Sequence, residues 1–197
     1  MSHYYISRKK RGGKKLISDF LRGVTVEFET APGLFSESEV DKGTKLLIEV
    51  AEVPEEGLIL DMGCGYGAIG ITLAKAYPKL KVYMVDINKV AVELAKLNAK
   101  RNGVSDRVIV LHGDLYEPVK NMKFNAILSN PPLAAGMKVI ETIVTEAPRH
   151  LCREGSLQLV LKKGHQAIAS LMKKTFDNVE ILASKWGYKV LKSNMYK

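Results

Sequence analysis

A chain of 197 residues, 46% hydrophobic and 26% charged, is long enough to bury one proper core. Two cysteines, Cys64 and Cys152, make no disulfide framework, no Cys/His cluster has metal-ligand spacing, and no apolar run approaches the ~20 residues a membrane span needs. The basic N-terminus has no apolar stretch behind it, so no signal peptide is read and the chain is expected to be cytoplasmic and metal-free.

The net charge of +9 is unevenly spread. Residues 1–22 balance to +6, residues 51–120 to zero and residues 121–197 to +7. Two basic ends around a neutral centre fit a polyanionic partner, most simply nucleic acid.

Residues 1–15 read as a flexible basic arm, because "RKKRGGKK" is too polar and glycine-rich to pack. "GVTVEFETA" (Gly23–Ala31) alternates at period two and predicts a strand closed by Pro32-Gly33. Asp41 is an N-cap candidate for a helix that ends before Pro54. From Gly57 onward the strands "GLILDM", "KVYMVD", "RVIVLH", "FNAILS" and "SLQLVLK" alternate with helices at about Ala68–Tyr77, Asn88–Asn102, Met137–Cys152 and His165–Phe176. "NVEILAS" and "GYKVLKS" flank Lys185-Trp186 and suggest a hairpin. The pattern predicts an α/β fold: a doubly wound, mostly parallel sheet with an antiparallel C-terminal hairpin and a small N-terminal β/α extension. No repeat or linker divides the chain, which is expected to be a single domain with an arm (1–15), an extension (16–56) and an α/β core (57–197).

In such sheets ligands bind beyond the carboxyl ends of the strands. Those ends carry Asp61 to Gly67, Asp86, Gly113-Asp114 and Asn130-Pro131-Pro132, so all four should line one edge. "LDMGCGYGAIG" follows a strand and opens a helix, and Gly63, Gly65 and Gly67 let a ligand press on the backbone. Gly65–Gly70 also satisfies G-x-G-x-x-G with Asp86 at about the expected offset of ~20 residues, which leaves a dinucleotide in play. Asp61 argues against it, because a carboxylate there repels a pyrophosphate and attracts an ammonium group. The remaining residues are also too few for a substrate domain. A ligand with a ribose for Asp86, an amino-acid end for Asp61 and no phosphate is S-adenosylmethionine.

"LDMGCGYG", "VYMVDIN" and "HGDLY" together resemble the first three motifs of the class I S-adenosylmethionine-dependent methyltransferases. That resemblance implies a seven-stranded sheet with the last strand antiparallel. It also implies that Asp86 holds both ribose hydroxyls and that Asp114 accepts from the adenine amino group. The implied cofactor set is Asp61, Gly63, Cys64, Gly65, Tyr66, Gly67, Asp86, Ile87, Asp114 and Leu115, with Asn130 and Thr44 beside it. Within it Cys64 also reads as a packing residue, and Tyr66 as a loop residue whose exposure alone would explain it.

"NPPL" resembles the (D/N/S)-P-P-(Y/F/W) motif of methyltransferases acting on a nitrogen conjugated to a planar group, which makes Asn130, Pro131, Pro132 and Leu133 the catalytic candidates. Proline ends the strand abruptly and leaves backbone carbonyls free. An exocyclic amine is a poor nucleophile because its lone pair is delocalised. Acceptance by the Asn130 side-chain oxygen and the Pro131 carbonyl favours a pyramidal nitrogen with a free lone pair. Leu133 departs from the pattern, whose fourth residue is usually an aromatic that stacks on the base. Phe35 is the best candidate to supply the missing stacking. "GLFSESEVDKGT", "NPPL" and "GYKVLKS" together resemble the small-subunit ribosomal RNA guanine-N2 methyltransferases and their archaeal relatives. In that group the segments holding Phe35 and Thr44 border the cofactor pocket. The wider group also uses aspartate where this chain has Asn130, so Asn130→Asp is expected to be milder than alanine.

The leading expectation is methylation of an RNA base amine, most simply guanine N2 of small-subunit ribosomal RNA, with Arg8, Lys9, Lys10 and Arg11 contacting the RNA. Two alternatives stay open: methylation of a protein glutamine amide, and a non-catalytic RNA-binding module on the same fold.

Overall fold

Short apolar runs that end in Gly, Pro or Asp pair as strands, and the amphipathic segments between them form the helices that cover both faces. The computed structural model describes residues 13, 15–32, 38–131 and 136–196. In chain order the elements are β1 (Lys15–Leu21), β2 (Val24–Thr30), α1 (Lys42–Val50), β3 (Glu56–Met62), α2 (Ala68–Ala76), β4 (Lys79–Asp86) and α3 (Lys89–Arg101). There follow β5 (Val108–His112), β6 (Phe124–Ser129), α4 (Met137–Glu146), β7 (Leu151–Leu161), α5 (His165–Phe176), β8 (Glu180–Lys185) and β9 (Tyr188–Asn194).

The main sheet has seven strands in the order β5-β4-β3-β6-β7-β9-β8. β3 to β7 are mutually parallel, and β9 runs antiparallel between β7 and β8. This is the doubly wound sheet with a C-terminal hairpin that the sequence predicts. The chain starts in the middle at β3, runs outward to β5 and returns to β6, so the winding reverses between β3 and β6. On one face Ile59, Met84 and Leu128 pack under α1, α2 and α3; on the other Leu60, Ile127 and Leu157 pack under α4 and α5.

β1 and β2 form a separate antiparallel ribbon. α3 supports it through two asparagines four residues apart. Asn98 accepts from Glu29 N at 2.7 Å and donates to Glu29 O at 3.0 Å; Asn102 accepts from Glu27 N at 3.1 Å and donates to Glu27 O at 2.7 Å. One helical turn rises ~5.4 Å and two strand residues span about 7 Å, so alternate backbone groups of β2 meet successive turns of α3. Between β1 and β2, Arg22 donates to Ile48 O at 2.6 Å and Ala51 O at 2.7 Å, placing a cation on the unpaired carbonyls that end α1. Arg22, counted in the charge of the basic N-terminal end, thus belongs to the scaffold.

Three sequence expectations change. The helix predicted over Met137–Cys152 ends at Glu146, a 3-10 turn covers Ala147–His150, and Leu151 and Cys152 open β7. Pro148 has no N–H to continue the α-helical ladder but is tolerated at the start of the turn. β7 then starts earlier than predicted, with a register shift between its pairings to Phe124 and Ala126. The strand β1 was not anticipated; its Leu16 and Phe20 are exposed, which blurs the inside–outside pattern, and it claims Lys15 from the predicted arm. Arg8, Lys9, Lys10, Arg11, Phe35, Pro132 and Leu133 lie outside the described residues.

Candidate active site

The carboxyl ends of β3, β4, β5 and β6 line one edge at the point where the winding reverses, and each delivers one of the polar side chains singled out by the sequence. Asp61, the last residue but one of β3, is fully buried. Its Oδ2 accepts from Gly70 N at 2.9 Å, while Oδ1 is buried with no partner among the described residues. Burial raises its carboxyl to about 7; the Gly70 donor opposes the rise and the Asp86 charge adds to it.

The loop after β3 is stitched to the end of β4. Gly63 N and Cys64 N donate to Val85 O at 2.8 and 3.0 Å, and Gly65 N donates to Asp86 Oδ2 at 2.8 Å. Gly63 and Gly65 hold φ at +70° and +56°, and a Cβ built at either meets nothing within 4 Å. The space in front of this backbone is therefore open to a ligand. Gly67 caps α2 in the left-handed region, against Ile71 and Met84.

The other Asp86 oxygen, Oδ1, accepts from Asn88 N at 2.8 Å. Burial pushes this carboxyl upward while the backbone donors hold it down. Both oxygens keep lone pairs for a further donor. Beside it Ile87 is 47% exposed, an isolated apolar side chain at the strand edge. Across from it, after β5, Asp114 is exposed and Leu115 holds a positive φ of 46°. A bulky residue in that region is uncommon and marks a locally constrained turn.

β6 is tied to β3 by Ser129, whose hydroxyl donates to Met62 O at 2.7 Å. The next residue is Asn130. Its Nδ2 donates to Asp41 Oδ2 at 3.0 Å and to Thr44 Oγ1 at 2.8 Å. Asp41 is the predicted N-cap of α1 and also accepts from Thr44 N at 3.0 Å. Its other oxygen accepts from the Tyr188 hydroxyl at 3.0 Å. Burial and the Asp41 carboxylate push the Tyr188 phenol upward, so it stays protonated and donates. With both amide hydrogens engaged, Asn130 is fixed with Oδ1 as its free acceptor.

Asp61, the glycine loop, Asp86, Asp114 and Asn130 thus share one edge as expected. Tyr66 corrects its expected exposure: its ring is buried against Phe28 at 5.4 Å, and only its backbone belongs to the loop. Cys64 is buried as well, as a packing residue. Thr44 touches Asn130 directly. Two members of the network were not singled out from sequence: Asp41 beyond its capping role, and Tyr188, which lies 147 positions from its partner. Only the Asp-x-x-Thr helix start gave a local signal.

The model of the methyltransferase small domain family matches residues 25–192. The chain is 39% identical to the Bacillus subtilis uncharacterized protein YbxB over 98% of both chains. It is 38% identical to the Aeromonas hydrophila ribosomal RNA small subunit methyltransferase C, over 83% of this chain and 48% of that one. The chain therefore spans about half the length of the ribosomal RNA methyltransferases it matches. Among solved structures, a T. thermophilus 16S rRNA N2 G1207 methyltransferase in complex with AdoMet and guanosine superposes with a TM-score of 0.83, at 26% identity, over 92% of this chain and 50% of that one. A Pyrococcus furiosus methyltransferase shares the fold, with a TM-score of 0.72 at 21% identity over 86% of this chain and 88% of that one. The match over residues 25–192 shows that the chain belongs to the methyltransferase small domain family.

Proposed function

We propose that this chain, acting as a single domain, is an S-adenosylmethionine-dependent N-methyltransferase of an exocyclic amine on an RNA base, most simply guanine N2 of small-subunit ribosomal RNA. The observation that carries the reading is the fixed amide of Asn130: Asp41 and Thr44 take both hydrogens of Nδ2 and leave Oδ1 to accept.

The residues present fit the cofactor. The orphaned Oδ1 of Asp61 suits an ammonium group, and the open space at Gly63 and Gly65 suits a chain lying against the backbone. Asp86 offers carboxylate lone pairs to ribose hydroxyls. Ile87 and Leu115 offer apolar faces to a planar ring, and Asp114 an acceptor at its edge. When bound, S-adenosylmethionine supplies an electrophilic methyl group on a sulfonium.

Asn130 Oδ1 and the Pro131 carbonyl accept the two N–H bonds of the target amine. That holds the nitrogen pyramidal and its lone pair free for attack. These preorganised acceptors would stabilise the positive charge that develops on the nitrogen as it takes the methyl group and the sulfonium S–C bond breaks to leave a neutral thioether. An amide is too weak a base to keep the proton, which passes to water. The resemblance to a ribosomal RNA enzyme supports guanine as the base, and the basic ends of the chain support RNA as the acceptor. No described helix is long and apolar enough to cross a membrane; the cytoplasm, where ribosomal subunits reside, is the proposed site of action.

The test is incubation of the protein with methyl-labelled S-adenosylmethionine and unmodified small subunits, followed by nucleoside mass spectrometry. N2-methylguanosine is the expected product. Label confined to ribosomal protein, or no label at all, overturns the proposal.

A further inference from the structure

The β8–β9 hairpin closes with Lys185 opposite Tyr188 around a two-residue turn, Trp186-Gly187. Both turn residues have positive φ, 54° and 80°. A turn of this hand takes Asn, Asp or Gly at its first position without strain, whereas tryptophan must force its Cβ against the backbone. The fold gains little burial in return, since Trp186 remains 51% exposed. A large ring held in an unfavourable conformation at a solvent-facing tip points to a ligand that uses it.

The surroundings say which kind. Lys185 Nζ lies 4.4 Å from the centre of the Trp186 ring, and Lys162 Nζ lies 5.4 Å from that of Tyr188. Lys162 follows Leu161, the β7 residue paired with Lys189 of β9. Lys162, Tyr188 and Lys185 therefore form a row on one face across β7, β9 and β8, with Trp186 at its end. Strands lie ~4.8 Å apart, so the row extends about 10 Å across the sheet. Tyr188, within the row, joins it to the strand-end site: its hydroxyl donates to Asp41, which in turn accepts from Asn130.

Basic and aromatic groups alternate along the row. Residues 155–176 and 181–197 contain no Asp or Glu, and none of Lys162, Lys163, Lys185 and Lys189 makes an ion pair among the described residues. We propose that this row is the track for the unpaired RNA strand next to the target base, with Trp186 stacking on one of its bases and Lys162 and Lys185 meeting its phosphates. An exposed ring, Trp186, set beside cations and a half-buried Tyr188 suits an unstacked base on a polyanionic backbone, whereas a duplex hides its base faces. The inference rests on the RNA reading of the same site.

Trp186 is the only tryptophan in the chain, so its fluorescence reports on this tip alone. The full-length protein is titrated with a short single-stranded RNA, a blunt RNA duplex of equal length and polyglutamate. Saturable quenching by the single strand, with little from the other two, is expected. Equal quenching by duplex or polyglutamate overturns the track, as does no quenching by the single strand. Trp186→Asn relieves the turn, and should raise the melting temperature while weakening single-strand binding by about tenfold or more, with cofactor affinity unchanged. Joint replacement of Lys162 and Lys185 by Gln should reduce the salt slope of binding by about 1.4, two phosphate contacts at ~0.7 each for a single strand. Unchanged RNA affinity in the Asn variant, or an unchanged slope in the Gln variant, also overturns it. Methylation of subunits without quenching would sink the track alone; quenching without methylation would sink the proposed activity alone.

Discussion

Asn130 and Asp41 stand 89 positions apart in the chain, and the amide of the first donates to the carboxylate of the second at 3.0 Å. The contact joins the end of β6 to the start of α1, and with Thr44 it engages Nδ2 and leaves Oδ1 of Asn130 as the acceptor. Asn130→Ala removes that acceptor and should lower single-turnover methyl transfer by about 100- to 1,000-fold. Cofactor affinity, read by calorimetry, should change little. Near-normal transfer by the alanine variant would reduce Asn130 to a turn residue.

The same contact reverses the expectation for Asn130→Asp. A carboxylate at this position cannot donate to Asp41 or Thr44, and it sets two like charges within hydrogen-bonding distance. The aspartate variant should be at least as slow as alanine near pH 7 and should recover as the pH falls and one of the two carboxyls takes up a proton. A pH–rate profile identical in shape to that of the native protein would contradict this.

Asp41 offers a cleaner separation of cap from orientation. Asp41→Asn can still accept from Thr44 N and Asn130 Nδ2 through its one oxygen, and Asn caps as well as Asp. It should stay within a few-fold of native turnover. Asp41→Ala loses both functions, and should cost about 1 kcal/mol of stability together with a fall in kcat of at least about tenfold. Thermal melts and single-turnover rates on the pair distinguish the two effects.

Asp61 makes folding and cofactor binding depend on pH. Its folded-state value, raised from an ordinary 3.8 to about 7, means that the folded protein holds this proton more tightly than the unfolded chain. Its contribution is therefore fully present below about pH 4 and is lost as the pH rises toward and through 7. In the cofactor-free protein, Asp61→Asn should gain stability relative to native as the pH is raised from 5 to 8, and calorimetry should show weaker S-adenosylmethionine binding at pH 8. A stability difference that stays constant across this range would show that Asp61 does not titrate there.

Asp86 serves the loop as well as the ligand. Replacement by alanine should remove the two proposed ribose contacts and weaken cofactor binding by about 2–3 kcal/mol. It also frees Gly65 N and Asn88 N, which both donate to this carboxylate at 2.8 Å, so the cofactor-free melt should fall as well. Unchanged affinity by calorimetry would remove Asp86 from the ribose.

What was legible in the sequence was whatever has a local cause. Each strand from Gly57 onward has its own apolar run and its own stop, and Asp41 announced a helix start three residues before the threonine whose N–H it accepts. The strand-end residues could be placed on one edge because parallel topology brings every strand end there. The turn at Pro148 was missed because a proline at the start of a 3-10 turn leaves the surrounding helical periodicity intact. Tyr188 was missed for another reason: nothing near residue 188 encodes a partner at residue 41, and only the insertion of β9 beside β7 brings the two together.

Asn98 has a consequence that reaches beyond support of the ribbon. Its Nδ2 donates both to Glu29 O in β2 and to Tyr66 O in the glycine loop, at 3.0 and 2.9 Å. One buried side chain thus links the opening of two segments that do not touch in sequence, and neither can open fully while the other keeps the amide in place. A cofactor that closes the loop should then slow hydrogen exchange at the Glu29 amide, far from any atom it contacts. The N-terminal ribbon, which lends no residue to the chemistry, would in this way sense whether the site is filled.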